Sequence, residues 1–382
     1  MTTAKRHPVR VCFLIDRLTR GGTETQLLAL IRVLDRTRVE PALVLLDGED
    51  DESRSLEPAD CPVLRLGVRS LHRPHALAAA ARLRRFWRSH GTDVLQVYFL
   101  DSTYFGVPLA RASGIRRVVR VRNNLGHWLT PKHRWLGRLM AGLADVTLTN
   151  CEPARRALID AEGGDARKVA VLENGVDLDR FTALAFPRPG PEFVIGAVAN
   201  LRPVKGIDVL VRAAARVVRE HPRARFRVAG QGEQRPDLER LIAELSLRER
   251  FELIGPVSDV PAFLAGVDVA VLPSRAEGMS NALLEYMAAG RPVVATDVGA
   301  NAQLLCGGDL GLLVPPGDDA ALAAGLTRLI RHPVEVSRRA ETARRHVTVH
   351  FSRDAMRERF EAFYERLCRG RRPAVQPVRP AA

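Results

Sequence analysis

Hydrophobic positions in this chain fall in short, nearly unbroken runs, such as VCFLI at 11–15, FVIGAV at 193–198 and VDVAVL at 267–272. Longer stretches between them bring an apolar residue back every three or four positions. Runs of that length suit parallel strands buried on both faces, and the intervening pattern suits amphipathic helices laid over the sheet. Strands are predicted at 9–15, 41–46, 63–66, 94–98, 118–121, 146–149 and 169–172, with a first helix over 24–34. The prolines of FTALAFPRPGP at 181–191 then mark an interdomain linker. Beyond it the pattern restarts, with strands expected at 193–199, 224–229, 251–254, 267–272, 292–296 and 311–314. The fold class is α/β, two Rossmann-like doubly wound domains at 1–181 and 193–350 joined by a linker at 182–192. Two cores also suit a chain of 382 residues. A last helix at 353–368 carries the apolar stripe Phe360, Phe363, Tyr364 and Leu367. The basic, proline-containing tail 369–382 is expected to be disordered.

The segment PSRAEGMSNALLEYMAAGRPVVAT at 273–296 holds the chemistry most open to inference. Glu277 falls in a loop and Glu285 inside a short helix, with Gly278, Met279, Ser280, Asn281 and Ala282 leading into the first turn. The helix is stopped at Gly290 and Pro292 and feeds another strand. A helix start presents unpaired amides and a partial positive charge, so a diphosphate suits residues 280–283. Carboxylates repel phosphate, so Glu277 and Glu285 are better employed accepting hydrogen bonds from sugar and ribose hydroxyls. Taken singly, each glutamate is equally at home as a solvated loop or helix charge.

The Glu-x7-Glu spacing, the following MAAGRPVVAT and the preceding VDVAVLPS resemble the retaining glycosyltransferases of family 4, which have the GT-B fold. NGVD at 174–177, read from its residues as a turn, matches the same pattern. The resemblance implies two domains facing a central cleft, with the last helix crossing back onto the N-terminal domain. It implies transfer of a sugar, with retention, from a nucleoside diphosphate donor, UDP or GDP, to a glycan or lipid-linked acceptor. Neither a metal nor another cofactor is implied.

Further candidates follow by position. Gly22, in the GGTE at 21–24 that opens the first helix, lies where the family has a glycine-rich loop over the donor phosphates. It is not the GxGxxG dinucleotide fingerprint, which weakens a dehydrogenase reading. In VANLRPVKG at 198–206, Lys205 suits a diphosphate, whereas Asn200 stands where relatives carry a phosphate-binding arginine and Arg202 is offered as its replacement. Gly230 opens a Gly-Gln-Gly turn after a strand, where the family commonly has a turn at the donor cleft, and Val257 corresponds to a valine whose backbone reads the base edge in relatives, which makes it a candidate contact for the base. His127 in VRVRNNLGHW is the candidate for the family's catalytic histidine, with Arg122, Asn123 and Asn124 as polar alternatives. The catalytic set expected is therefore Glu277, Lys205 and His127.

Charge adds direction without deciding the matter. The 58 Lys and Arg against 44 Asp and Glu give a net charge of +14, dispersed along the chain, which favours anionic partners and is equally explained by an arginine-rich composition. The segments 76–90 and 132–143 mix arginines with Phe86, Trp87 and Trp135. Such a mixture can rest on an anionic membrane or pack its aromatics inward. Five scattered cysteines show no CxxC spacing, which points to neither a zinc site nor a disulfide framework. No signal segment or spanning stretch is visible, and a cytoplasmic protein, peripheral at most to the inner membrane face, is expected. Nucleic acid is not an expected partner, because no helix-turn-helix or RNP-like pattern occurs. A nucleotide-sugar epimerase of the same fold and a non-enzymatic anion-binding protein are the alternatives.

Overall fold

A computed structural model describes residues 7–71, 75–123, 126, 130–181, 184–185 and 192–370, the side chains of 333–336 excepted. The chain divides into two compact units. One runs through the described residues up to Asn174 and takes in the final helix Arg353–Cys368; the other is Gly175–Ser352.

In the first unit β1 (Val9–Ile15), β2 (Val39–Leu45), β3 (Val63–Arg65), β4 (Val94–Val97), β5 (Arg117–Val121), β6 (Val146–Thr149) and β7 (Val169–Val171) form one parallel sheet, ordered β3-β2-β1-β4-β5-β6-β7. The apolar runs became its buried centre: Val11 to Ile15 of β1 have no exposed surface. The helices Gly22–Val33, His75–His90, Leu100–Ala112, Pro131–Leu143 and Glu152–Glu162 lie between the strands in sequence. The final helix packs on Gly22–Val33 and β1. Tyr364, fully buried, donates its hydroxyl to Gln96 Oε1 at 3.0 Å, and Arg38 bonds Glu361 at 2.5 Å.

The second unit repeats the design. Strands β8 (Phe193–Val198), β9 (Ala224–Ala229), β10 (Phe251–Gly255), β11 (Val269–Leu272), β12 (Val293–Thr296) and β13 (Leu312–Val314) are parallel in the order β10-β9-β8-β11-β12-β13. Helix Ile207–Glu220 contributes seven residues to the core along one side, as its apolar spacing requires. In both sheets the strand order reverses beside the unit's first strand, between β1 and β4 and between β8 and β11. Loops leaving the carboxyl ends of two such strands diverge to opposite faces and open a crevice, the usual ligand site of a parallel α/β sheet.

Candidate functional site

At the reversal in the second unit, the loops after β8 and β11 are fastened together. Gly206 has φ +63° and carries no side chain to spare, because a Cβ there would stand 2.1 Å from the Pro273 carbonyl oxygen. Arg275 grips both carboxylate oxygens of Asp208 at 2.7 Å and also donates to the Pro203 carbonyl at 2.9 Å. Within this frame Lys205 Nζ lies 2.6 Å from Glu277 Oε1, and the same oxygen accepts from Ser274 Oγ at 2.6 Å. The Glu277 side chain is 9% exposed and that of Lys205 27%. Glu277 Oε2 has no hydrogen-bond partner among the described residues.

The remaining candidates of this unit line the same sheet edge. Gly230, after β9, crosses directly beneath the loop that follows β8, and a Cβ would meet the Ala199 carbonyl at 1.9 Å. Its role in the fold is therefore close backbone approach. The Gly230 amide donates to Gly255 at the end of β10, and half-buried Val257 follows two residues on. Arg202 is exposed and its side chain has no partner among the described residues; Asn200 is exposed as well.

Helix Asn281–Ala288 begins where the sequence places it. Ser280 is its cap, accepting from the Leu283 amide at 3.3 Å, so the Leu283 N–H is already satisfied, contrary to the reading of 280–283 as a run of open amides. The Ala282 amide makes no hydrogen bond among the described residues. Gly278 accepts from Ala300 beyond β12, and Met279 is buried. Tyr286, with no exposed surface, pins the helix to β8, its hydroxyl accepting from the Val198 amide at 2.6 Å. Glu285 keeps part of its surface open, yet protein crowds the carboxyl closely enough that burial raises its pKa to about 7, with Arg180 pulling the other way.

Gly22 is the first residue of its helix and exposed, in the N-terminal unit. The next acidic residue, Glu24, is buried and accepts from Thr19 Oγ1 at 2.6 Å, so it serves the loop's own structure. His127 lies outside the described residues, as do Asn124, most of the 182–192 linker and residues 371–382 of the tail.

Two residues at the reversal of the first unit escaped the sequence reading in whole or part. A cavity of about 370 Å³ opens there, lined by Asp16, Thr23, Tyr98, Leu100, Arg122 and Asn123 among others. Asp16 directly follows β1 and accepts from both the amide and the hydroxyl of Ser102 at the start of helix Leu100–Ala112, at 2.7 and 2.5 Å. Burial raises its pKa to about 6 against those bonds. The signal available was an acidic residue closing an apolar strand. Arg122, weighed only as a substitute for His127, is 94% buried by side chain, since 6% remains exposed.

With this geometry in place, the relatives can be compared. Residues 21–175 match the model of the glycosyl transferase 4-like domain, and residues 192–332 that of glycosyl transferases group 1. A 2-deoxystreptamine glucosyltransferase of Streptomyces kanamyceticus is 30% identical over 68% of this chain and 73% of its own length. The chain belongs to glycosyltransferase family 4. Another relative in that family, a D-inositol 3-phosphate glycosyltransferase of Thermomonospora curvata, is 32% identical over 66% of this chain. The match spans 64% of that relative's length. Among solved structures, Anabaena HepE in complex with UDP superposes with a TM-score of 0.80 at 22% identity, covering 94% of this chain and 100% of its own. A sucrose-phosphate synthase of Thermosynechococcus elongatus does so at 0.80 and 19%, covering 95% and 100%. These likenesses establish the GT-B fold of the family 4 enzymes.

Proposed function

We propose that this chain transfers a sugar from a nucleoside diphosphate donor, with retention of configuration, to a glycan or lipid-linked acceptor in cell-surface polysaccharide or glycoconjugate synthesis. The observation that carries the reading is the Lys205–Glu277 pair, set at the strand reversal where parallel sheets bind ligands. Departure of a nucleoside diphosphate leaves new negative charge on phosphate oxygen, and stabilising it is the principal electrostatic task. Lys205 supplies a compact cation there, and the Ala282 amide at the start of the helix adds an oriented dipole. Glu277, whose Oε2 is uncommitted, accepts hydrogen bonds from the donor sugar, and Glu285 from the ribose. Val257 meets the base. The leaving phosphate takes the acceptor's proton, so no protein nucleophile is required, and the chemistry assigns no step to a metal. The UDP-bound HepE neighbour supports uridine over guanosine.

Retention and donor are tested together by incubating the protein with UDP-glucose and GDP-mannose and following the anomeric proton by NMR. An α-donor yielding an α-product from one nucleotide supports the reading. Inverted product, or donor consumed only by epimerisation, refutes it.

A lipid-linked acceptor has its own support. Helix Pro131–Leu143 exposes Trp135 at 63% and Leu139 at 48%, one turn apart, among exposed Lys132, Arg134 and Arg138. Trp87 in the earlier arginine-rich helix is instead buried at 2%. An apolar pair ringed by cations suits the surface of an anionic bilayer. None of the described helices is long and apolar enough to cross a membrane.

A further inference from the structure

Glu277 is held by one oxygen only. Lys205 Nζ and Ser274 Oγ both donate to its Oε1, each at 2.6 Å, and Oε2 has no partner among the described residues. Two other carboxylates, held by arginine, are engaged on both oxygens. Buried Glu162 accepts from Arg120 on Oε2 at 2.5 Å and from Arg122 on Oε1 at 3.1 Å, and Gly137, mid-helix, admits it by having no Cβ to collide with Oε1. Asp208 gives one oxygen to each arm of Arg275. Those pairs fix structure with nothing left over, whereas the lopsided hold on Glu277 leaves an oxygen to spare.

A carboxylate turns readily about its last bond, a soft two-fold torsion, and an ammonium on a flexible stem can follow it round. Ser274 has no such freedom. It has no exposed surface, stands three residues before Glu277, and its hydroxyl makes no other hydrogen bond among the described residues. The chain leaving β12 sets it from behind. Thr296 Oγ1, buried, donates to the Ser274 carbonyl at 2.6 Å, and the Thr296 carbonyl accepts from Asn301 Nδ2 at 2.9 Å. Between these two residues Gly299, at φ +55°, passes against the Glu277 and Gly278 carbonyls, where any Cβ would collide, and the Ala300 amide donates to the Gly278 carbonyl at 2.9 Å. Three fully buried polar side chains thus stand among apolar strands, where polar groups cost stability unless they are satisfied. Asn301 Oδ1 is buried with no partner among the described residues, so stability is not what this chain of bonds provides. What a buried polar chain does provide is a single fixed geometry.

We propose that Ser274 is a positioning residue, aimed by Thr296 and Asn301, whose hydroxyl holds Glu277 Oε1 and so presents Oε2 to the donor sugar. This role rests on the transferase reading, in which Glu277 accepts from sugar hydroxyls, and names the group that decides which way the carboxylate faces. The sugar then meets an oxygen with its lone pairs open instead of one already shared by two donors.

The test follows consumption of UDP-glucose and GDP-mannose by the full chain, beside calorimetric affinity for bare UDP and GDP, in wild type, Ser274→Ala, Glu277→Ala and the double variant. Ser274→Ala is expected to lower kcat/KM for the donor by roughly 10–100-fold, the scale on which losing a group that orients another acts. Affinity for the bare diphosphate, which brings no sugar to Glu277, stays at the wild-type value. On the residual activity of Glu277→Ala the serine change costs nothing further, because the serine acts through that carboxylate. Thr296→Val, which releases the Ser274 carbonyl, lowers donor consumption in the same direction and serves if Ser274→Ala does not fold. An equal cost with and without the Glu277 carboxylate, or a parallel loss of affinity for the bare diphosphate, makes the effect one of packing and overturns the proposal. Wild-type kcat/KM in Ser274→Ala beside a damaged Glu277→Ala overturns it too and leaves the donor reading standing. If Glu277→Ala is as active as wild type, or wild type consumes neither donor, the donor reading fails and takes this role with it.

Discussion

Lys205 and Glu277, 72 residues apart in sequence, meet at 2.6 Å across the reversal of the second sheet. The carboxylate that holds the cation also accepts from Ser274 at 2.6 Å. Replacing Lys205 by alanine is expected to lower kcat/KM for the donor by about 10²–10³-fold, the usual loss when one oriented charge is removed from a developing anion. Melting should move little, since the lysine is partly exposed. Steady-state kinetics beside a melting curve check both halves, and retention of more than a tenth of wild-type turnover contradicts the role.

Glu285 supplies a pH prediction. Its pKa in the folded protein is about 7 against an ordinary 4.5, and the cause is burial. Between those values the folded state holds more proton than the unfolded one, so stability falls as pH rises from about 4.5 to 7 and is level above. Glu285→Gln should remove the part of that decline above about pH 6 and leave the part that Asp16, its own pKa raised by burial to about 6, contributes below it. Ribose hydroxyls donate to the ionised form, so UDP should bind about tenfold more tightly at pH 8 than at pH 6 in wild type. The variant retains only the nucleotide's own titration. Calorimetric titration at both pH values decides, and identical pH dependence in the two proteins removes Glu285 from the ribose.

Gly206 fixes the loop that carries Lys205. Alanine there meets both a positive φ and the Pro273 carbonyl, so a loss of roughly 2–4 kcal/mol is expected. Donor affinity should drop too, because the two loops must part. Chemical denaturation measures the first effect; a loss below about 1 kcal/mol would mean that the loops slide apart freely.

Trp135 tests the membrane reading. Trp135→Ala should reduce co-sedimentation with vesicles containing phosphatidylglycerol at low salt, leave melting unchanged and spare transfer to a soluble acceptor. Failure of the wild type to bind such vesicles removes the membrane from the account.

Most of the architecture could be read from the chain because buried parallel strands write themselves as apolar runs. Strand ends moved by two residues or fewer: 41–46 became Val39–Leu45 and 267–272 became Val269–Leu272. The helix after Ser280 was legible because its cap, its glycine stop and the following proline are local signals. What remained hidden depended on distance in sequence. Nothing near Lys205 announces Glu277, and nothing near Arg122 announces Glu162, 40 residues later. Gly230 read as a ligand turn, whereas its immediate cause is the crossing of Ala199, a contact that only the folded sheet creates. Trp87 and Trp135 stand in similar arginine-rich helices and take opposite fates, because the sheet covers one helix face and periodicity alone does not say which tryptophan falls on it.

Gly137, Arg120, Arg122 and Glu162 also carry a consequence for descent. A side chain gained at 137 displaces the carboxylate, and a carboxylate lost at 162 strands two guanidiniums in the interior. Either change therefore needs a second one beside it, whereas position 122 can change and leave Glu162 paired with Arg120. Drift among these four buried positions is therefore channelled through one residue, 122.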